Sequence, residues 1–201
     1  MDLDKIYNDR YKTELVPACG QLDDIIRDHL DTIEHVDSIS VRAKSPDRFL
    51  AKATKLLENG KEKYPNPLGQ IQDQIGARIV VFYKSDVEIV SEILGSYFRP
   101  IEAQTLEPDS LDAFGYMGRH FVFSLPVDIA MPENGCQLFE LQVKTLFQHA
   151  WAEASHDIAY KQLSRKLANS ERRLIAFAAA QAWGADNAFS EISEEISRSK
   201  E

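Results

Sequence analysis

One stretch, Leu138–Lys161 (LFELQVKTLFQHAWAEASHDIAYK), restricts the fold more than any other part of the chain. Its first half alternates: Phe139, Leu141 and Val143 are apolar, and Glu140, Gln142 and Lys144 between them are not. A period of two is that of a half-buried strand, and it puts the three polar residues in one row on one face. From Thr145 the period becomes helical. Leu146, Phe147, Ala150, Trp151, Ala154 and Ile158 form an apolar stripe behind Thr145, which is placed as N-cap. The other side of that helix carries His149, Glu153, His156 and Tyr160. A polar row on a strand that runs straight into a second polar row on a helix has the form of the floor and wall of a site. A solvent-facing strand edge alternates in the same way, so the rest of the chain must decide.

Residues 2–36 read as helical with a break near Pro17, and Ile6, Leu22, Ile25, Ile26, Leu30 and Ile33 supply a stripe for packing. Ser38–Lys44 alternates again, with Ile39 and Val41 against Arg42 and Lys44. Ser45-Pro46-Asp47 then reads as a helix start, Ser at N-cap and Pro at N1, for a helix over Arg48–Glu58 that carries Arg48, Lys52 and Lys55. The chain has a formal net charge of −9, which speaks against a broad grip on nucleic acid and leaves room for a local basic cleft. A helix N-terminus beside Arg42, Lys44, Arg48 and Lys52 suits a polyphosphate, through dipole and charge together. A solvated basic helix would look the same.

Residues 59–70 are loop by composition, and Ile79–Tyr83 is an apolar run suited to a central strand. Asp73, just ahead of that strand, is placed either to hold a divalent cation or to make a turn. Gly76 permits close approach of a backbone or ligand, and Arg78, read as the start of the strand, offers a flat guanidinium for stacking on a base. A short helix over Ser85–Leu94, a weak strand over Tyr97–Thr105 and a loop over 106–113 follow. Phe114–Ser124 is a glycine-rich lead into a strand on which Tyr116 and His120 share a side. The pair could stack a base and touch its phosphates, or both could be core. Asn169–Ser197 reads as one long helix, taken as packing or as a self-association surface. The two cysteines show no metal-ligand spacing, and neither a membrane span nor a signal peptide is visible, so a reduced cytoplasmic protein with no membrane partner is expected.

Together these segments resemble the synthetase domain of the RelA/SpoT family, the alarmone (p)ppGpp synthetases, over roughly residues 40–161. The pieces are Arg42-x-Lys44 with Lys52; Asp73-x-x-Gly76-x-Arg78; Gly115-Tyr116-x-x-x-His120; Glu140-x-Gln142-x-Lys144-Thr145; and His149-Ala-Trp151 with His156 and Tyr160-Lys161. The resemblance implies an α/β (α+β) fold, a nucleotidyltransferase-like mixed β-sheet flanked by helices. It implies one synthetase domain over residues 1–201, with N-terminal helices over 1–37, a catalytic core over 38–161 and a C-terminal helix over 165–201. It further implies transfer of pyrophosphate from ATP to the 3′-hydroxyl of GDP or GTP with Mg²⁺. Arg42 and Arg78 would sandwich adenine, and Lys44, Lys52 and Arg48 would complete the ATP site. Asp73 and Glu140 would hold Mg²⁺, Glu140 also taking the proton of the attacking hydroxyl. Tyr116 would stack on the acceptor base, with His120, Gln142, Lys144 and His149 on the acceptor side.

Four departures from the family pattern are visible. Lys144 stands where arginine is more usual, Arg48 where a small residue is common, Met117 where many relatives are polar or basic, and Ser155 where Glu often precedes His156. These leave the acceptor's identity more open than the donor's. The same chemistry on the tRNA 3′ end or on adenosine nucleotides is therefore an alternative, as is a nucleotide-binding regulator without turnover. The acidic balance argues against tRNA without excluding it. The His149/Glu153/His156 stripe lacks the His-Glu-x-x-His spacing of a zinc site. A homo-oligomer is the remaining expectation.

Overall fold

The computed structural model describes residues 2–106, 113–115, 117–161 and 167–199, and in it the alternating stretches become strands β1 (Val36–Ala43), β2 (Ile75–Val81), β3 (Glu102–Leu106), β4 (Gly118–Ser124) and β5 (Leu138–Thr145). They form one five-stranded sheet in the order β1-β2-β5-β4-β3. β2 and β5 run parallel, and every other neighbouring pair is antiparallel. This is the mixed sheet that the resemblance implied. β2 and β5 are central because each carries a buried apolar row: Ile75, Ala77, Ile79 and Val81 on one, Phe139, Leu141 and Val143 on the other. These rows face α2 (Val16–Leu30) and α5 (Lys84–Phe98), which cover that side of the sheet with Leu22, Ile26, Val90, Leu94 and Phe98.

The register fixes what lies on the other face. Arg42 pairs with Gly76, and Gly76 with Glu140; Ser40 pairs with Arg78, Arg78 with Gln142, and Gln142 with His120. Paired residues point to the same side of a sheet, so sequence-distant polar residues fall into two rows. That face is flanked by α3 (Pro46–Ala53) and by α6 (Leu146–Lys161), which packs on β5 and β2. A short α4 (Pro67–Gln70) and a 3₁₀ turn (Gln72–Gln74) lead into β2. α7 (Asn169–Arg198) packs on α6 and α5. Cys19 and Cys136 are unbonded and buried. No helix among the described residues is long and apolar enough to cross a membrane.

Several boundaries differ from expectation. α1 (Leu3–Arg10) does not break at Pro17 but continues through a π-helical turn, Tyr11–Leu15, into α2. Pro17 sits in the first turn of α2, where a missing N–H costs least, and the wide turn just before it absorbs the mismatch. The helix expected over Arg48–Glu58 is shorter: Thr54 leaves helical geometry (φ −85°, ψ 3°), and residues 55–63 double back through the Leu56–Glu62 bridge. The helix expected over Ser85–Leu94 is longer and takes in Tyr97 and Phe98, so β3 begins only at Glu102, after Arg99 turns the chain at φ 53°. Arg78 is mid-strand, because β2 already begins at Ile75. On α6, Ala150, Ala154 and Ile158 are exposed, and the helix meets α7 through Phe147 and Trp151. There Phe147 stacks on Phe189 at 5.7 Å and the Trp151 indole donates to the Ile175 carbonyl at 3.3 Å. Most of the expected loop over 106–113 lies outside the described residues.

Candidate active site

The polar face of β1, β2 and β5 is the floor of a cavity of about 320 Å³ whose lining includes Arg42, Lys44, Arg48, Asp73, Gly76, Arg78, Glu140 and Gln142. It is continuous with a wider cleft of about 690 Å³ between α3 and α6, to which Lys52, Lys55, Lys144, Trp151, Glu153 and His156 contribute. Asp73 and Glu140, 67 positions apart in the chain, therefore meet at one cavity. Gly76 presents no side chain at the point of the floor directly between Arg42 and Glu140.

The cationic wall is built from the β1–α3 junction. Ser45 is N-cap of α3 with Pro46 behind it, so the chain turns there and Lys44, Arg48 and Lys52 look into one space. Lys44 Nζ lies 2.9 Å from Asp73 Oδ2 and Lys52 Nζ 3.0 Å from Asp73 Oδ1. The Lys44 backbone is held from both sides: its N–H donates to the Gln74 carbonyl (2.8 Å) and its carbonyl accepts from the Tyr7 hydroxyl (2.9 Å). Gln74 is fixed in turn by its amide, which donates to the carbonyls of Leu68 and Ile71 at 2.9 Å each. Tyr7 stacks flat on Phe49, ring centroids 3.6 Å apart, and burial pushes its phenol well up. Arg10 ties the same corner together, donating to the carbonyls of Leu68 (3.2 Å) and Asn134 (2.7 Å) and to the Gln74 side chain (3.2 Å).

Glu140 is approached by two donors at one oxygen. His120 Nδ1 lies 3.1 Å from Glu140 Oε1 and the Gln142 amide donates to the same atom at 2.7 Å. Burial by itself would push this carboxyl up. The hydrogen bonds from His120 and Gln142, with the charges of His120 and Lys52, outweigh it and bring the pKa down to about 2. On the floor beside it, Lys144 is 3% exposed, and burial together with the neighbouring Arg78 lowers its pKa to about 8. Burial, then Arg78 and Arg48, also lower Arg42, while Glu153 acts in the opposite sense. Glu153 reaches across from α6 to Arg78, Oε1 to Nη1 at 2.8 Å. Arg78 Nε is buried without a hydrogen-bond partner among the described residues, which leaves the guanidinium plane bonded along one edge only.

Arg42, Lys44, Arg48, Asp73, Arg78, Glu140 and Gln142 thus share the inner cavity, and Lys52 and Lys144 join from the wider cleft. His120 lines neither space and sits behind Glu140. His149 also lines neither; its Nδ1 is buried without a partner among the described residues, and burial, then Arg78, lowers its pKa. Tyr116 and the side chains of Tyr160 and Lys161 lie outside the described residues. Tyr7, Arg10 and Gln74 carried no sequence signal for the site, whereas Glu153 was visible in the polar row of α6 without its partner. Thr145 caps α6 as expected: its Oγ1 accepts from the Gln148 N–H (3.2 Å) while Gln148 Oε1 accepts from the Thr145 N–H (3.1 Å). Among the described residues no group of three His, Cys, Asp or Glu side chains could hold a metal. Two carboxylates on one cavity beside several cations do fit Mg²⁺, which takes few protein oxygens and completes its shell with substrate phosphates and water.

The sequence profile described as a region found in RelA / SpoT proteins matches residues 41–165. Over 126 residues the chain is 29% identical to the GTP pyrophosphokinase YjbM of Bacillus subtilis strain 168, an alignment that spans 58% of this chain and 58% of the relative. The fold matches the small alarmone synthetase 1 of Bacillus subtilis bound to its product pppGpp, with a TM-score of 0.74 at 23% identity over 94% of this chain and 97% of the other. It matches the same synthetase bound to AMPCPP with a TM-score of 0.68 at 22% identity, again over 94% and 97%. The profile covers the cationic wall, the floor and the α6 row in one run, which is well over half of the sequence, and the chain belongs to the RelA/SpoT family.

Proposed function

We propose that the chain is an alarmone synthetase, transferring pyrophosphate from ATP to the 3′-hydroxyl of GDP or GTP. The observation that carries this reading is the meeting of Asp73 and Glu140 at one cavity under a wall of cations. Pure binding of a polyphosphate gains nothing from two carboxylates aimed at it. The family relation and the nucleotide complexes of the Bacillus synthetase support nucleotide substrates here as well.

In this reading Arg42 and Arg78, on neighbouring strands and the same face, hold adenine between guanidinium planes. Lys44 and Lys52 pass from Asp73 to the ATP phosphates, with Arg48 beside them. Asp73 and Glu140 would hold Mg²⁺, which supplies neutralisation of the charge that develops on the transferred group. Gln142 and Lys144 face the acceptor side, and His120 acts through Glu140. Glu140 stays ionised at neutral pH; substrate phosphates engage Lys52 and add negative charge nearby, which raises its proton affinity when the 3′-hydroxyl proton must leave. Most of the rate gain comes from in-line placement of the hydroxyl and from charge stabilisation. A reaction that consumes ATP and guanosine nucleotide belongs in the cytoplasm.

Incubation with labelled ATP and, in turn, GDP, GTP, ADP and deacylated tRNA tests the reading. Label is expected on GDP or GTP, and Glu140→Gln is expected to abolish transfer while ATP binding persists. Label on ADP or tRNA would reassign the acceptor. ATP binding without transfer to any acceptor would make the chain a regulator.

A further inference from the structure

Lys44 stands at a break in the regular hydrogen bonding. The β1–β2 ladder ends with Ala43 opposite Ile75, and the first turn of α3 closes on Ser45, whose carbonyl accepts from the Phe49 N–H at 2.9 Å. The peptide that joins Lys44 to Ser45 belongs to neither element, so its polar groups must be satisfied from elsewhere. The Lys44 N–H goes to the Gln74 carbonyl, in the 3₁₀ turn that carries Asp73. Among the described residues its carbonyl accepts from one group, the hydroxyl of Tyr7 on α1. Tyr7 is fully buried and lies parallel to the Phe49 ring, 4° between planes, so packing sets the aim of its hydroxyl. Burial also keeps the phenol protonated and therefore a donor.

Three cations hang from the peptide that this hydroxyl holds. Its orientation sets the direction of the Lys44 side chain and the start of α3. Arg48 and Lys52, four apart on α3, share one helix face and move with that start. Arg10, on the same face of α1 as Tyr7, fixes the opposite side of the gap through the Gln74 side chain and the carbonyls of Leu68 and Asn134. Two side chains of α1 thus set the separation between the cationic wall and the turn bearing Asp73, which Lys44 and Lys52 now span at 2.9 and 3.0 Å. Charge-assisted contacts to a polyphosphate weaken when their donors shift by a fraction of an ångström. Arg42 is different, because it pairs with Gly76 inside the ladder and needs nothing from Tyr7.

We propose that Tyr7 is a positioning residue for the donor polyphosphate: through the Lys44 carbonyl, its hydroxyl aims Lys44, Arg48 and Lys52 at the phosphates. The proposal rests on the synthetase reading, since it places a nucleoside triphosphate in the cleft. It also uses a helix that lies ahead of the residues matched by the family profile. Tyr7→Phe removes one oxygen and leaves the ring stack in place. The KM for ATP should rise about tenfold, with the KM for GDP unchanged. In titration calorimetry the affinity for AMPCPP should fall by the same factor, whereas adenosine, which has no phosphate, should bind native and variant chains alike. Tyr7→Leu also loses the stack. It should show the same tenfold donor loss and, unlike Tyr7→Phe, a much lower urea midpoint, which separates aiming from packing. A Tyr7→Phe chain that binds AMPCPP as the native chain does would overturn the proposal, as would equal losses for AMPCPP, adenosine and GDP. A native chain that binds AMPCPP but transfers to no acceptor would remove the synthetase reading and leave the calorimetric test of Tyr7 in force; one that binds no nucleotide would overturn both. If Tyr7→Leu fails to fold, the contrast between AMPCPP and adenosine in Tyr7→Phe decides the matter.

Discussion

Replacing Glu140 by glutamine isolates one large electrostatic effect in the site. The carboxyl is lowered from its ordinary 4.5 to about 2, and each pKa unit is worth about 1.4 kcal/mol, so the folded state favours the ionised form by about 3 kcal/mol. Because the folded pKa lies below the unfolded one, this stability is fully present above about pH 4.5 and is lost as pH falls toward 2. By pH 3 roughly 2 kcal/mol of it should be gone. The Glu140→Gln chain has no such titration, and the remaining carboxylates are common to both proteins. Urea unfolding at pH 7 and pH 3 should therefore show native stability falling about 2 kcal/mol further than that of Glu140→Gln. His120→Ala should shrink that difference, because the first of the favourable interactions at Oε1 is removed. Equal losses in native and Glu140→Gln proteins would refute the account of how this carboxylate is held. So would a His120→Ala chain that keeps the full difference.

Three further outcomes are expected. With Lys144 lowered to about 8, it loses its charge as pH rises through that value. Acceptor kcat/KM should fall on the alkaline side, and Lys144→Arg should move the fall to higher pH. Glu153→Gln should release Arg78 from its 2.8 Å ion pair and raise the KM for ATP severalfold, with the acceptor KM unchanged; an effect on the acceptor alone would separate Glu153 from the donor pocket. Phe139 is fully buried and packs against Phe98 and Phe123, so Phe139→Ala should cost about 3–5 kcal/mol in urea unfolding.

Local pattern was readable wherever one side chain's neighbours are close in the chain. The alternation of Glu140, Gln142 and Lys144, the cap at Thr145 and the turn at Ser45-Pro46 all depend on spacing of a few residues, and all are present. Helix lengths were less readable, because they end for reasons outside propensity. Thr54 leaves α3 where the chain doubles back, and Phe98 prolongs α5 because its ring packs against Phe123 and Phe139. The meeting of Asp73 with Glu140 follows from a parallel register between strands far apart in sequence, and no local period encodes that. The family motifs named both residues, but not the Gly76–Glu140 pairing that brings them together. Tyr7 was unreadable for a simpler reason. A tyrosine on an ordinary helix carries no mark that its hydroxyl will hold a backbone carbonyl 37 positions away.

The parallel pairing of β2 with β5 bears on how such a protein can change. Glu140 lies on β5 and Asp73 in the 3₁₀ turn that leads into the neighbouring β2, while β3 and β4 are inserted between β2 and β5 in sequence and added at the far edge in space. The connections to β3 can thus lengthen or shorten at the far edge without altering the β2–β5 register. That edge is free to drift across generations while the floor of the cavity stays intact, and redesign of the chain should begin there.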